Sequence, residues 1–158
     1  MRLIREEGIR ERVGVVFDRR RAELRVLLPA ARIEHIGSTA VPGSLTKGDL
    51  DICALVEAAT FEPATRTLAA AYEIHQPDNW TTTFAGFIAS PEDEIDTGIQ
   101  LVVAGSADER SFIGWRDRLH ADPALRARYD EIKRRHWDDG VDAYRAAKAR
   151  MISEVMGS

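Results

Sequence analysis

The sequence predicts an α+β fold in which a small mixed β-sheet is flanked by helices and the last third of the chain is helical. Three observations lead there. An amphipathic helical stripe opens the chain, β-forming segments follow with one helix among them, and beyond Gly105 the apolar spacing is helical. At 158 residues the chain is expected to make one domain, 1–158, with a core at about 10–105 and a C-terminal helical part at about 106–156.

The first helix is predicted over 9–28, where Val13, Phe17, Leu24 and Leu28 fall near helical spacing and Pro29 closes the run. Arg32 to Ile36 alternates and ends at Gly37, as a short strand does. Residues 37–48 carry three glycines and a proline and read as a turn-rich loop. Asp49 to Val56 is the second strand, and Glu62-Pro63 opens a helix over 62–72. Residues 80–89 are rich in β-formers, 95–103 make a further strand, and Ser90 to Glu94 has the composition of the hairpin loop between them. In the helical third, Phe112, Trp115 and Leu119 share a face. Leu125, Tyr129, Ile132 and His136 form a second stripe behind the Asp122-Pro123 cap, and Tyr144, Lys148, Met151 and Val155 mark a last helix after Gly140.

Composition excludes several classes. The net charge of −4, with basic residues spread among acids, provides no field for long nucleic acid. The single cysteine, Cys53, rules out a disulfide framework within the chain and reads as a small buried hydrophobe. No signal-peptide hydrophobic region stands at the N-terminus, and no apolar run approaches the about 20 residues that span a bilayer. A cytoplasmic, non-membrane protein is expected. P-loop, dinucleotide-binding and nucleophile-elbow patterns do not occur.

Chemistry concentrates in one segment. Gly37-Ser38 ends a strand, and Asp49-Leu50-Asp51 follows eleven residues after Ser38. Residues two apart in a strand share a face, so Asp49 and Asp51 project together while Leu50 and Ile52 turn to the core. Paired carboxylates repel unless a cation lies between them, and Mg²⁺ (or Mn²⁺) suits hard oxygen donors and phosphate ligands alike. A short helical turn starting at Ser38 would aim N–H groups at an anion above the carboxylates. Phosphate over metal over paired aspartates is what phosphoryl or nucleotidyl transfer requires.

The segment from Ile33 to Ile52, His-Ile-Gly-Ser-Thr-Ala-Val-Pro-Gly at its centre and Asp49-Leu50-Asp51 near its end, resembles the signature of the GrpB-like family of the nucleotidyltransferase superfamily. Trp115-Arg116-Asp117-Arg118-Leu119, Asp122-Pro123-Ala124-Leu125, Tyr129, Lys133, Tyr144 and Lys148 resemble the family more loosely. The resemblance implies a metal-dependent transferase that moves a nucleoside monophosphate from a nucleoside triphosphate to an unidentified small-molecule acceptor. In that reading Asp49 and Asp51 are the metal ligands and Gly37 and Ser38 hold the phosphates, Lys47 either reaches a triphosphate or is a solvated loop lysine, and Lys133 and Lys148 reach the nucleotide if the C-terminal helices close over the sheet. The superfamily has a third carboxylate on a neighbouring strand. Asp96 fills that role if it lies level with Asp49 and Asp51, but Gln100 is closer to the usual position and an amide is no base. A catalytically inactive nucleotide-binding module, or a partner module in nucleotide cofactor metabolism, is the alternative.

The remaining polar residues have two readings each. His35 either bonds a phosphate or orients the loop. Arg116, Lys133, Tyr144 and Lys148 either contact phosphate and base or sit between helices. Tyr129 and Trp137 read as core or interface, His75, His120 and His136 have no metal-ligand spacing, and Glu92 to Glu94 read as exposed loop.

Overall fold

The computed structural model describes residues 2–157. In chain order the main elements are β1 (Ile4–Arg5), α1 (Arg10–Leu27), β2 (Arg32–Ile36), β3 (Leu45–Thr46), β4 (Leu50–Val56), α2 (Phe61–Ala71), β5 (Glu73–His75), β6 (Phe84–Glu92) and β7 (Ile95–Val103). The helical third follows as α3 (Ala107–Glu109), a π-helical turn (Arg110–Gly114), α4 (Trp115–Ala121), α5 (Pro123–His136) and α6 (Val141–Met156).

Five strands form a mixed sheet of order β2-β4-β7-β6-β5, parallel only between β4 and β7. Those two strands are central, which is why Leu50 to Val56 reads as a nearly unbroken apolar run. One face packs on α1 and α2. Val13, Val16, Leu24 and Leu68 meet Leu50, Ile52, Phe87, Ile99 and Leu101 there in the main core. The opposite face is covered in part by the π-helical turn, where Ile113 and Phe112 join Ile36, Cys53, Leu55, Val102 and Phe84. The rest of that face stays open beneath α5 and α6. No helix among the described residues is long and apolar enough to cross a membrane.

Three local differences from the expected elements have physical reasons. The strand expected over 80–89 begins only at Phe84, because Trp80 Nε1 donates to the His75 carbonyl and Thr81 Oγ1 accepts from the Thr83 N–H. Side chains that bond nearby backbone compete with the ladder. The same strand runs on to Glu92 through an irregular register between Ala89 and Glu92 that spans Pro91, and Asp93 and Glu94 turn the chain with positive φ. Phe112 leaves the face of Trp115 and Leu119 to stack on Phe84, with ring centroids 5.9 Å apart. The π-helical turn wraps more residues per turn and so rotates Phe112 toward the sheet.

Three short strands had no signal in the sequence. β1 and β3, two residues each, pair with each other and tie the N-terminus to the glycine-rich loop. β5 adds the far edge strand.

Candidate functional site

Asp51 stands at the floor of the open face. It is in register with Ile36 on one side and Gly98 on the other. The carboxylate is wedged between two glycines. A Cβ on Gly37 would lie 2.5 Å from Asp51 Oδ2, and one on Gly98 would lie 3.2 Å from Oδ1. Gly37 also holds φ 77°, a conformation other residues rarely adopt. Burial pushes the Asp51 carboxyl up to about 6, the nearby Asp49 charge adds to the rise, and Lys148 and Lys47 oppose it.

The loop over this floor is held by its own hydroxyls. A 3-10 turn starts at Ser38, as expected, and leaves its first N–H groups without helical partners. Ser38 Oγ donates to Thr46 Oγ1 at 2.8 Å, so this hydroxyl braces the loop. Thr46 Oγ1 accepts as well from the Gly48 N–H. Thr39 Oγ1 donates to the Asp49 carbonyl at 3.0 Å and lies 2.9 Å from His35 Nε2. With its one proton committed to Asp49, Thr39 accepts from His35, which fixes the Nε2–H tautomer. The imidazole stacks on Phe17 at 5.1 Å, and burial with the Arg116 charge lowers its pKa to about 4, so it stays neutral. Of its two readings, the loop-orienting one describes this geometry.

The C-terminal helices make the far wall of a cleft of about 800 Å³. Lys133 and Asp130 of α5 are buried and grip the peptide groups of Leu45. Lys133 Nζ donates to its carbonyl at 2.6 Å and Asp130 Oδ1 accepts from its N–H at 3.0 Å. Lys133 also lies over the Tyr129 ring, and burial lowers its pKa to about 7. The Tyr129 hydroxyl meets that of Tyr144 at 3.0 Å, which locks α5 to α6. Arg116 of α4 donates to Glu34 and to the His35 carbonyl, both at 2.9 Å.

Five cations line the cleft: Lys47, Arg116, Lys133, Arg145 and Lys148. Lys47 pairs with Asp49 at 2.9 Å, and Arg116 and Lys133 are engaged as above. Arg145 and Lys148, three residues apart on α6, make no hydrogen bond or ion pair among the described residues beyond the pull of Lys148 on Asp51. They face the cleft with charge to spare. Arg145 escaped the sequence reading, although it stands one helical turn before Lys148.

Asp96 lines the cleft on the residue before Thr97, the partner of Leu50, and so stands level with Asp49. Gly98 is the residue opposite Asp51, and Gln100 is opposite Cys53. Among the described residues, no three His, Cys, Asp or Glu side chains are placed to hold a metal together. Cys53 is buried, with its thiol pushed up to about 12 by burial, and is inert. His75, unassigned from sequence, lines the cleft beside β6.

The donor set at the floor is chemically suited to a hard divalent cation. Asp49 and Asp51 contribute only carboxylate oxygens, the Asp49 charge adds to the cost of ionising Asp51, and the bare α-carbons of Gly37 and Gly98 make the room that the Asp51 carboxylate occupies. Two protein carboxylates with the remaining positions for water and phosphate is a donor set Mg²⁺ accepts.

A family model described as GrpB protein matches residues 10–158. A UPF0157 protein of Vibrio cholerae serotype O1 is 35% identical over 135 residues, 85% of this chain and 71% of the relative. Among solved structures, a conserved GrpB protein from Enterococcus faecalis superposes with a TM-score of 0.74 at 19% identity, covering 97% of this chain and 96% of that one. The MgGTP-bound Cid1 poly(U) polymerase superposes at 0.56 and 14% identity over 84% of this chain but 43% of its own. The chain belongs to the GrpB family, and its α+β fold is the nucleotidyltransferase-like one.

Proposed function

We propose that this GrpB-family chain is a metal-dependent nucleotidyltransferase that moves a nucleoside monophosphate from a nucleoside triphosphate to a small acceptor. The observation that carries it is the meeting, in one cleft, of the carboxylates of Asp49 and Asp51 with Arg145 and Lys148, cations that make no hydrogen bond or ion pair among the described residues. Asp49 and Asp51 would hold Mg²⁺ or Mn²⁺. When bound, the ion supplies positive charge against the phosphoryl oxygens as negative charge builds there. The N–H groups of the turn at Ser38 and the α6 cations bind the β- and γ-phosphates, while Lys47 and Lys133 shape the wall beside them. The acceptor hydroxyl oxygen bonds to the α-phosphorus, the bond to the pyrophosphate oxygen breaks, and the hydroxyl proton passes to Asp96. The whole chain, 1–158, acts as one domain in this reading, inside the cytoplasm.

One observation favours a second reading, nucleotide binding without turnover. Gly98, not an acid, stands opposite Asp51, and three carboxylates do not converge among the described residues. In that case the chain serves as a nucleotide-responsive module for a partner in nucleotide cofactor metabolism. Calorimetric titration of ATP, GTP, CTP and UTP with and without Mg²⁺ decides the common premise. Metal-dependent binding by the wild type and its loss in the Asp49→Asn/Asp51→Asn double variant are expected. A folded wild type that binds none of the four sinks both readings. Release of pyrophosphate with acceptor present then separates enzyme from module.

A further inference from the structure

Residues 4–8 stand ahead of the part of the chain that matches the family model, yet they are built into the loop that opens the site. β1 pairs with β3, with Ile4 opposite Thr46 and Arg5 opposite Leu45. A 3-10 turn, Glu6–Gly8, follows. The Glu6 N–H donates to the Ser44 carbonyl at 2.9 Å, and Glu6 Oε2 accepts from the Gly43 N–H at 3.2 Å. Arg5 donates to the Gly43 carbonyl at 3.1 Å. Two residues of this segment thus hold the backbone of Gly43 and Ser44.

Glu6 is only 2% exposed, and a buried carboxylate is costly unless it is paired and hydrogen-bonded. Arg10 pairs it, with Nε donating to Oε1 and Nη2 to Oε2, both at 2.6 Å. The Arg10 bonds and the Gly43 N–H hold its carboxyl below the usual range, against the opposing effect of burial. Glu6 is not part of the cleft wall, so it acts on a ligand only through the loop. The link is short. Ser44, 1% exposed, shares its one hydroxyl proton between the Ser38 carbonyl at 2.6 Å and the Val41 carbonyl at 2.7 Å. The Ser38 carbonyl also accepts from the Val41 N–H at 3.2 Å. A trans peptide group is planar, with its C=O and N–H opposed, so fixing the Ser38 carbonyl fixes the direction of the Thr39 N–H. The N–H groups of Ser38 and Thr39 make no hydrogen bond among the described residues.

We infer that Glu6 is a positioning residue for phosphate binding: braced by Arg10, it holds the Gly43-Ser44 backbone, and through Ser44 it sets the Ser38-Thr39 peptide group for an incoming oxyanion. The inference rests on the reading that this turn binds the phosphates of a nucleotide. The unbonded N–H groups need no rearrangement when the anion arrives, because the carbonyl of the same peptide is already committed to Ser44 and Val41. Without the Glu6 carboxylate the Gly43 N–H loses its acceptor, Ser44 loses its fixed backbone, and the turn must be ordered at the expense of binding. The carboxylates of Asp49 and Asp51 stand on the other arm of the site and do not touch Glu6, so metal binding and phosphate binding separate in this account.

The test titrates two probes into the full chain: Mn²⁺ alone, which reads the carboxylate pair, and inorganic tripolyphosphate with Mg²⁺, which reads the turn. Wild type is compared with Glu6→Ala, Glu6→Gln and Ser44→Ala, each well below its unfolding midpoint and with its fold checked by circular dichroism. In Glu6→Ala the tripolyphosphate affinity falls about tenfold, while Mn²⁺ affinity holds within about twofold. Glu6→Gln keeps an acceptor for the Gly43 N–H and recovers most of the loss. Ser44→Ala, which leaves Glu6 in place and cuts the link, reproduces it, and does so even if Glu6→Ala fails to fold. A merely structural role would lower the unfolding midpoint and leave the anion affinity of the folded variants unchanged, and that result overturns the inference. So does an equal loss of Mn²⁺ and tripolyphosphate. A folded wild type that binds Mn²⁺ but neither tripolyphosphate nor Mg-nucleotide overturns the nucleotide reading, and the inference with it.

Discussion

The carboxylate of Asp51 lies against the α-carbon of Gly37, so close that a methyl group there would come within 2.5 Å of Oδ2. The turn that opens the loop and the acid that ends the signature therefore form one packed unit. Gly37→Ala places a side chain both in that contact and at φ 77°. We expect it to cost about 1–3 kcal/mol of stability and to displace Asp51. Urea unfolding and Mg-nucleotide calorimetry on the same variant check both. Gly98→Ala, at an ordinary φ and with a 3.2 Å contact, should spare stability and still weaken metal-dependent binding.

Asp51→Asn separates function from folding. The folded pKa of about 6 is raised above 3.8, so the folded state holds the proton that the unfolded state releases. Wild-type stability from this group is therefore present at low pH and is lost as pH rises through about 4 to 6. The asparagine variant lacks that loss. It should be at least as stable as wild type at pH 8, by an upper bound of about 3 kcal/mol, and should bind no nucleotide in a metal-dependent way. Chemical denaturation at pH 5 and pH 8 is the measurement, and a variant less stable at pH 8 contradicts the account.

His35 has the opposite sign. Its folded pKa, about 4, lies below 6.5, so its contribution is full above 6.5 and falls away as pH drops toward 4. Burial and the nearby Arg116 charge disfavour the protonated ring, which is stacked on Phe17. His35→Gln keeps a donor for Thr39 and removes the titration. The stability difference between wild type and variant should change by at most about 3 kcal/mol between pH 7 and pH 4. A difference independent of pH would show that the imidazole is not held neutral.

Two lysines of the cleft should separate in a single experiment. Lys133→Met strands the Leu45 carbonyl and leaves Asp130 facing an apolar side chain, so a loss of about 2–4 kcal/mol is expected. Lys148→Met breaks no hydrogen bond among the described residues and removes only the pull of Lys148 on Asp51, so it should lower the unfolding midpoint far less than Lys133→Met does. It should weaken nucleotide binding about tenfold or more, with a smaller salt dependence. Equal effects of the two substitutions on both readouts would refute this division of labour.

The helix over 10–27, the strands at 32–36, 50–56 and 95–103 and the helical third were legible because each carries its own period or punctuation. So was the pairing of Gly37-Ser38 with Asp49-x-Asp51, since a turn and a two-residue alternation are local properties. β1, β3 and β5 were not legible. Strands of two or three residues have no periodicity to read and exist because a neighbour supplies the hydrogen bonds.

The chain sequence alone determined which residues share a face: Asp49 with Asp51, Leu50 with Ile52, Leu125 with Tyr129. It also placed a flexible glycine where the first strand must turn. Only the tertiary structure decided what those residues face. Register between β4 and β7 put Gly98, not an acid, beside Asp51 and left Gln100 Oε1 unpaired. Docking of α5 against β3 turned Lys133 into a clamp on Leu45 and left the free charge to Arg145 and Lys148 on the next helix. Backbone periodicity is short-ranged and written in neighbouring residues, whereas strand register and the partner of a long cationic side chain are settled by contacts between segments 45 to 90 residues apart, as Leu45 with Lys133 at a separation of 88 shows.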